Sequence, residues 1–130
     1  TGVQTCALPI CLTTTQLDAL TDTQVASLST TLLRALTGTQ VSAFSSTEIA
    51  AFVTTQAGSL TSTQIGQMST TAISSLSETT AIPALTTQAV TGLTTTQISH
   101  LTTTQANAFQ ATQVQAMSVS QIDALVSLFA

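Results

Sequence analysis

The side chains that could act as acids, bases or ligands are few and lie far apart in this sequence of 130 residues. There are five carboxylates, one histidine and one strong base: Asp18, Asp22, Glu48, Glu78, Asp123, His100 and Arg34. Acid–base catalysis requires titratable groups within hydrogen-bond reach of one reacting atom. The scatter of these groups along the chain therefore predicts a protein that is not an enzyme.

His100 is the only histidine, and a metal ion needs several ligands of this kind close together. We expect His100 to be a partly exposed residue at the edge of a repeat. Arg34 can pair with Asp18 or Asp22, but a solvated ion pair contributes little. The sequence has no glycine-rich phosphate loop and no serine nucleophile motif. We predict no catalytic, cofactor-binding or metal-binding residues.

The composition excludes two further classes of protein. Charged residues make up 5% of the chain, and a nucleic-acid-binding protein needs several cations to neutralise phosphates. The sequence contains 30 Thr, 15 Ser and 14 Gln, which interrupt every apolar run before it reaches the roughly 18 residues of a membrane span. Hydrophobic residues nevertheless make up 43% of the chain in a regular pattern, which predicts a folded core.

The chain is built from an eight-residue repeat with the consensus Leu-Thr-x-Thr-Gln-(Val/Ile)-x-Ala, whose positions are numbered one to eight below. Position one is Leu12, Leu20, Leu28, Leu36, Phe44, Phe52, Leu60, Met68 and Leu76, then, after one inserted residue, Leu85, Leu93, Leu101, Phe109, Met117 and Leu125. The charged residues avoid positions one, six and eight. We therefore predict that these three positions face inward, and that three and seven face water.

The octad predicts a chain of short helices. A continuous helix turns about 100° per residue, so anchors eight residues apart would fall out of phase around it. Thr at two and Gln at five form a capping box, and the apolar residues at one and six form a hydrophobic staple. The clearest boxes pair Thr13 with Gln16, Thr21 with Gln24, Thr37 with Gln40, Thr61 with Gln64, Thr94 with Gln97, and Thr102 with Gln105.

Such helices, about six or seven residues long, cannot stand alone and must stack on their neighbours. We therefore predict an all-α solenoid over residues 12–124, with one helix per octad. The alternative is a β-solenoid, because Thr, Val and Ile favour strands. The scarcity of Gly and Asn, the usual residues of tight turns, argues against that alternative.

Two features of the array allow more than one interpretation. Residues 76–92 break the register through the inserted residue, Pro83 and a Gln88 that comes one position early. This break is either a tolerated insertion in a surface turn or a hinge between two blocks. Position four is Thr in most octads, which either hydrogen-bonds locally or forms a threonine ladder similar to the surfaces of ice-binding proteins.

Residues 1–10, TGVQTCALPI, resemble the translation of a common sequencing-library adaptor, with Cys11 as the junction codon. On this interpretation residues 1–11 stand apart from the repeat array of residues 12–130. Cys6 and Cys11 are then no evidence for a disulfide or a metal site.

The octad, in phrases such as Leu93-Thr-Thr-Thr-Gln-Ile98, resembles the L-T-x-x-Q repeats of very large surface or secreted proteins of Gram-negative bacteria. The resemblance implies a non-enzymatic structural or adhesive spacer of a larger exported protein. It also implies an extracellular or cell-surface location, ligands found there, and stacking of repeats on one another. The alternative function is a ligand-binding repeat module, such as an ice-binding threonine ladder.

Overall fold

The computed structural model describes residues 12–130, and no strand occurs among them. Thirteen α-helices and one 3-10 helix, Ile82–Ala84, follow one another at one per octad. The α-helices are α1 (Thr14–Asp18), α2 (Asp22–Ala26), α3 (Thr30–Ala35), α4 (Gly38–Val41), α5 (Ser46–Ala50), α6 (Thr54–Ala57), α7 (Ser62–Gln67), α8 (Thr70–Ser74), α9 (Thr87–Val90), α10 (Thr95–Ser99), α11 (Thr103–Asn107), α12 (Ala111–Ala116) and α13 (Val119–Ser127). The prediction of one short helix per octad is confirmed, although most are four to six residues long.

Capping boxes begin most of these helices. In α1 the Thr13 backbone N–H donates to Gln16 Oε1 at 2.9 Å, and the Gln16 N–H donates to Thr13 Oγ1 at 3.1 Å. All six boxes predicted from the sequence form, and Ser45 with Glu48 and Ser118 with Gln121 form two more. Each box satisfies two backbone N–H groups that the first helical turn leaves without an internal acceptor.

Every helix before α13 ends in the same way. The N–H of position one donates to the carbonyl of position six, as Leu36 does to Leu33 at 3.3 Å, and this tightens the last turn. The following residue at position two is extended, for example φ −71° and ψ 162° at Thr37. Extended backbone is open to every L-residue, and no residue of 12–130 has a positive φ. The corner between two helices thus needs neither Gly nor Asn.

The helices wind into a superhelix with three octads per turn. When the 3-10 helix is counted as one of the series, each packed pair of helices is three octads apart, as in α1 with α4, α2 with α5 and α10 with α13. Fourteen octads therefore make between four and five stacked turns. The all-α solenoid is confirmed, and the β-solenoid alternative is wrong for the described residues.

The core is a continuous apolar spine along the superhelix. Positions one and six are buried through most of the array, and Phe44 and Phe52 meet edge to face with ring centroids 5.8 Å apart. Position eight does not follow the prediction: Ser59 is buried there, but other residues at this position are half-buried or exposed, including Ala19 and His100. Position eight lies at the end of the helix, just before the corner.

The register break does not interrupt the stacking. The 3-10 helix takes the place of an octad helix and packs on α6, three octads earlier. The inserted residue is absorbed in the turn before it, where Ala81 and Ile82 both donate to the Ser77 carbonyl. At the far end α13 runs on to Ser127, because Val126 at position two has no side chain that could cap a new helix. The adaptor interpretation of residues 1–11 lies outside the described residues.

Candidate functional site

The titratable side chains are not brought together by the fold. Asp18, Asp22, Arg34, Glu78 and Asp123 are exposed on different helices and turns. His100 is exposed as well, and its Nδ1 lies 2.8 Å from the Thr96 carbonyl oxygen of its own octad. Residues 12–130 contain no group of three His, Cys, Asp or Glu side chains that could hold a metal ion. Arg34 forms no ion pair with any carboxylate of this part of the chain.

The polar groups that do converge are the carboxamides at position five. Gln64 Oε1 accepts from the Thr61 N–H at 2.9 Å, which completes the capping box. Its Nε2 donates across the stack to the carbonyls of Leu33 and Leu36, at 2.7 and 2.8 Å. One carboxamide therefore joins the start of one helix to the end of a helix in the turn before.

The same arrangement recurs along the array, and we call it the glutamine ladder. Seven glutamines at position five donate through Nε2 to backbone carbonyls 28 to 32 residues earlier: Gln40, Gln56, Gln64, Gln97, Gln105, Gln113 and Gln121. All seven side chains are buried. Gln16 and Gln24 make only the capping bond, since residues 12–130 contain no earlier turn for them to reach.

The ladder was not predicted, although the sequence contains a signal for it. A capping box accepts Glu and Gln equally well. Position five nevertheless holds Gln in nine octads and Glu in only one, Glu48. Only the amide of Gln can donate, and an excess of Gln over Glu indicates an acceptor near that position.

Glu48 shows what happens at position five when the side chain has no N–H group to donate to the preceding turn. Its Oε2 accepts from the Ser45 N–H at 2.7 Å, as a capping residue should. Its Oε1 is buried and has no hydrogen-bond partner among residues 12–130. In the register of the ladder this oxygen takes the place of the amide nitrogen, so it faces acceptors with nothing to donate.

Three successive octads lack the ladder altogether. Position five is Ala72 in the first and Ala89 in the third, and the nine-residue repeat between them has no Gln at all. The N-cap residues Ser69 and Thr86 accordingly cap with their hydroxyls alone. At the corner before α9 the surface opens into a cavity of about 360 Å³, lined by Gly58–Ser62, Thr86–Ala89 and Arg34.

The position-four threonines form exposed columns on the outside of the stack. All eleven are exposed: Thr15, Thr23, Thr31, Thr39, Thr47, Thr55, Thr63, Thr71, Thr96, Thr104 and Thr112. Thr23, Thr47 and Thr71 follow one another on α2, α5 and α8, which pack in that order. Their hydroxyls make no hydrogen bond to the described part of the protein, so the interpretation as local helix-start bonding is wrong.

Among residues 12–130, no helix has the length and apolar character needed to cross a membrane. Comparison with known proteins gave no match: no family model, no curated protein and no solved structure is significantly similar to the chain.

Proposed function

We propose that this chain is a non-enzymatic structural or adhesive spacer within a larger exported bacterial protein, located at the cell surface or outside the cell. The observation that carries the proposal is the glutamine ladder. It repeats the same inter-turn bonds along most of the array, so each added octad extends the stack with the same contacts. In a repeat protein each unit contacts only near neighbours, so length can change while the local structure is kept.

A spacer must tolerate loss of whole repeats. Deletion of residues 93–108 removes two octads and brings Gln113 into the place of Gln97, where the carbonyls of Ile65 and Met68 accept. We expect a folded, shorter particle by X-ray scattering in solution, with a helical circular dichroism spectrum. Deletion of residues 93–96 is the matched control, because half an octad puts every later Gln out of register and should unfold the end of the array.

The spacer role itself is tested by measuring how the distance that the array spans depends on its number of octads. Arrays with different numbers of octads would be placed between a surface anchor and a binding domain, and capture of a tethered target would be measured. Capture that depends on the number of octads and not on which octads are present supports the proposal. Capture that is lost with one particular octad, at constant length, contradicts it and indicates a binding site there.

A second candidate function is an ice-binding threonine surface. It is favoured by the eleven exposed position-four threonines, whose hydroxyls and methyl groups are left for contact with water. Thermal hysteresis of the purified protein tests it. Thr47→Val should lower the hysteresis, whereas Thr103→Val, at position three, serves as the control. A protein without measurable hysteresis would exclude this candidate.

A further inference from the structure

The cavity before α9 lies at a corner where the ladder should have a member. The equivalent corners one turn earlier and one turn later hold Gln64 and Gln113. Each accepts from the N–H at position two of its own octad and donates to two carbonyls of the preceding turn. The corner between them has Ala89 at position five, so its carboxamide is missing.

The hydrogen-bonding groups that a carboxamide would meet are identified by the register. After the inserted residue the ladder bonds span 32 and 29 residues, as Gln97 shows with Ile65 and Met68. Counted from Ala89, these spans reach the carbonyls of Ala57 and Leu60. Among the described residues the Leu60 carbonyl and the Thr86 N–H have no hydrogen-bond partner, and both residues line the cavity.

The side chain of Gln88 does not take the place of the missing carboxamide. It comes one position early and its side chain is exposed and makes no hydrogen bond within residues 12–130. Ala89 itself is fully buried and has no polar side-chain atom that could replace the missing carboxamide.

The lining of the cavity also includes a positively charged side chain. Arg34, the only strong base of the chain, lines it and forms no ion pair with the described carboxylates. A guanidinium group binds a carboxylate through two parallel hydrogen bonds. At about 360 Å³ the cavity is within the range of small-molecule sites and has room for more than a single carboxamide.

We propose that this cavity binds a small molecule that carries both a primary carboxamide and a carboxylate, of which free L-glutamine is the simplest. The carboxamide oxygen accepts from the Thr86 N–H, and its NH₂ donates to the Leu60 and Ala57 carbonyls. The carboxylate pairs with Arg34. This site goes beyond the spacer role, which does not depend on it, and the stack keeps its shape whether or not the site is occupied.

The test is a titration of the full chain with L-glutamine, followed through the backbone amide signals by NMR. A ligand of this size should bind with a dissociation constant on the order of 1 mM. We expect the signals of Thr86 and Ala89 to shift with L-glutamine and not with L-glutamate, which has the same shape but whose side chain ends in a carboxylate that cannot donate. Equal binding of L-glutamate, or no shift at concentrations up to about 20 mM, would overturn the proposal.

Two variants separate the two halves of the site. Arg34→Met, at an exposed position, should weaken L-glutamine binding roughly tenfold while leaving the weak binding of propionamide, which lacks the carboxylate, unchanged. Ala89→Gln should supply the carboxamide from the chain itself, raise the melting temperature and abolish L-glutamine binding. Unchanged L-glutamine binding in either variant would show that the ligand sits elsewhere. Ala89→Leu, similar in volume but without an amide, is the control that should block binding without the same gain in melting temperature.

Discussion

At the scale of single residues, one carboxamide at position five makes two kinds of hydrogen bond. Its oxygen caps its own helix, and its nitrogen donates to a neighbouring turn. Buried polar groups stabilise a protein only when they are hydrogen-bonded, and a buried group without a partner costs more than a made bond contributes. The difference between Gln and Glu at this position is therefore energetic, although both cap the helix.

Glu48→Gln should stabilise the protein. The new amide nitrogen would donate to the carbonyls of Leu17 and Leu20, which lie 31 and 28 residues earlier, the spans seen for Gln64. We expect the free energy of unfolding, measured with urea, to rise by about 1–2 kcal/mol. Gln97→Glu, the reverse change at a complete corner, should lower it by about 1–3 kcal/mol. Equal stability of all three proteins would contradict the role assigned to the ladder.

Glycine positions allow a second test at this scale. A Cβ on Gly92 would collide with the backbone oxygen of Ser62 in the preceding turn, which cannot move without the helix. A Cβ on Gly38 would meet the side chain of Gln67, which is exposed and can turn away.

Gly92→Ala should therefore lower the melting temperature, with a loss of about 1–3 kcal/mol. Gly38→Ala is the matched control and should be neutral or stabilise by up to about 1 kcal/mol, because Ala favours the helix. Differential scanning calorimetry of both variants makes the comparison. If Gly38→Ala destabilised the protein and Gly92→Ala did not, the close approach of two turns would not lie at Gly92, which would contradict this account.

At the scale of the elements, each helix depends on its cap because it is too short to form alone. Among the α-helices of residues 12–130, two N-caps lack a side-chain bond to the third helical residue: Val53 before α6 and Gln110 before α12. In both, the carboxamide three residues later still accepts from the N-cap N–H, at 3.0 and 2.7 Å. Each of these two boxes therefore has the carboxamide bond and lacks the hydroxyl bond.

Val53→Thr should complete the box of α6. The side chain of Val53 is 45% exposed, so little apolar burial is lost on substitution. We expect a gain of about 1 kcal/mol in the free energy of unfolding from the restored cap. Thr94→Val should cost a similar amount, since it removes the same bond from a complete box. Thermal unfolding followed by circular dichroism measures both changes, and a loss of stability in Val53→Thr would contradict this account of the cap.

The elements show how far the sequence alone predicts this fold. The capping boxes, the hydrophobic staples and the eight-residue period are local features of the sequence. They were enough to predict a helix in every octad and the burial of positions one and six. The number of octads per turn was not predictable, because it depends on the angle at each corner and on bonds between residues 28 to 32 apart. For the same reason, the structure was needed to show that Gln at position five also donates to an earlier turn. It was needed as well to show the cavity, which lies where Gln64 and Gln113 have no counterpart.

At the scale of the whole molecule, the stack has one turn that lacks ladder bonds to the turn before it. Residues 68–92 hold three octads without a position-five carboxamide, whereas the octads of Gln97, Gln105, Gln113 and Gln121 are all bonded backward. Helix packing alone connects this turn to the earlier one, as in α5 with α8 and α7 with α9. Local opening needs least free energy where few such bonds must break.

Native-state hydrogen exchange should therefore be fastest within the interior of the array at residues 68–92. Ala72→Gln should slow it, because the new carboxamide can donate to the carbonyls of Val41 and Phe44, 31 and 28 residues earlier. Thr103→Gln, at an exposed position on a bonded turn, is the control and should leave the exchange of residues 68–92 unchanged. Uniform protection throughout the array in the unmodified protein would contradict the assignment of a weak turn.

The ladder also has a direction, because every Gln that belongs to it donates toward the beginning of the chain. A polypeptide is made from its N-terminus, so when a new octad is synthesised the carbonyls it needs belong to turns that already exist. Each new octad can thus fold onto the turns that precede it as soon as it is synthesised. Its cap and its inter-turn hydrogen bonds then form together. Folding can keep pace with synthesis, one octad at a time, without waiting for residues that have not yet been made.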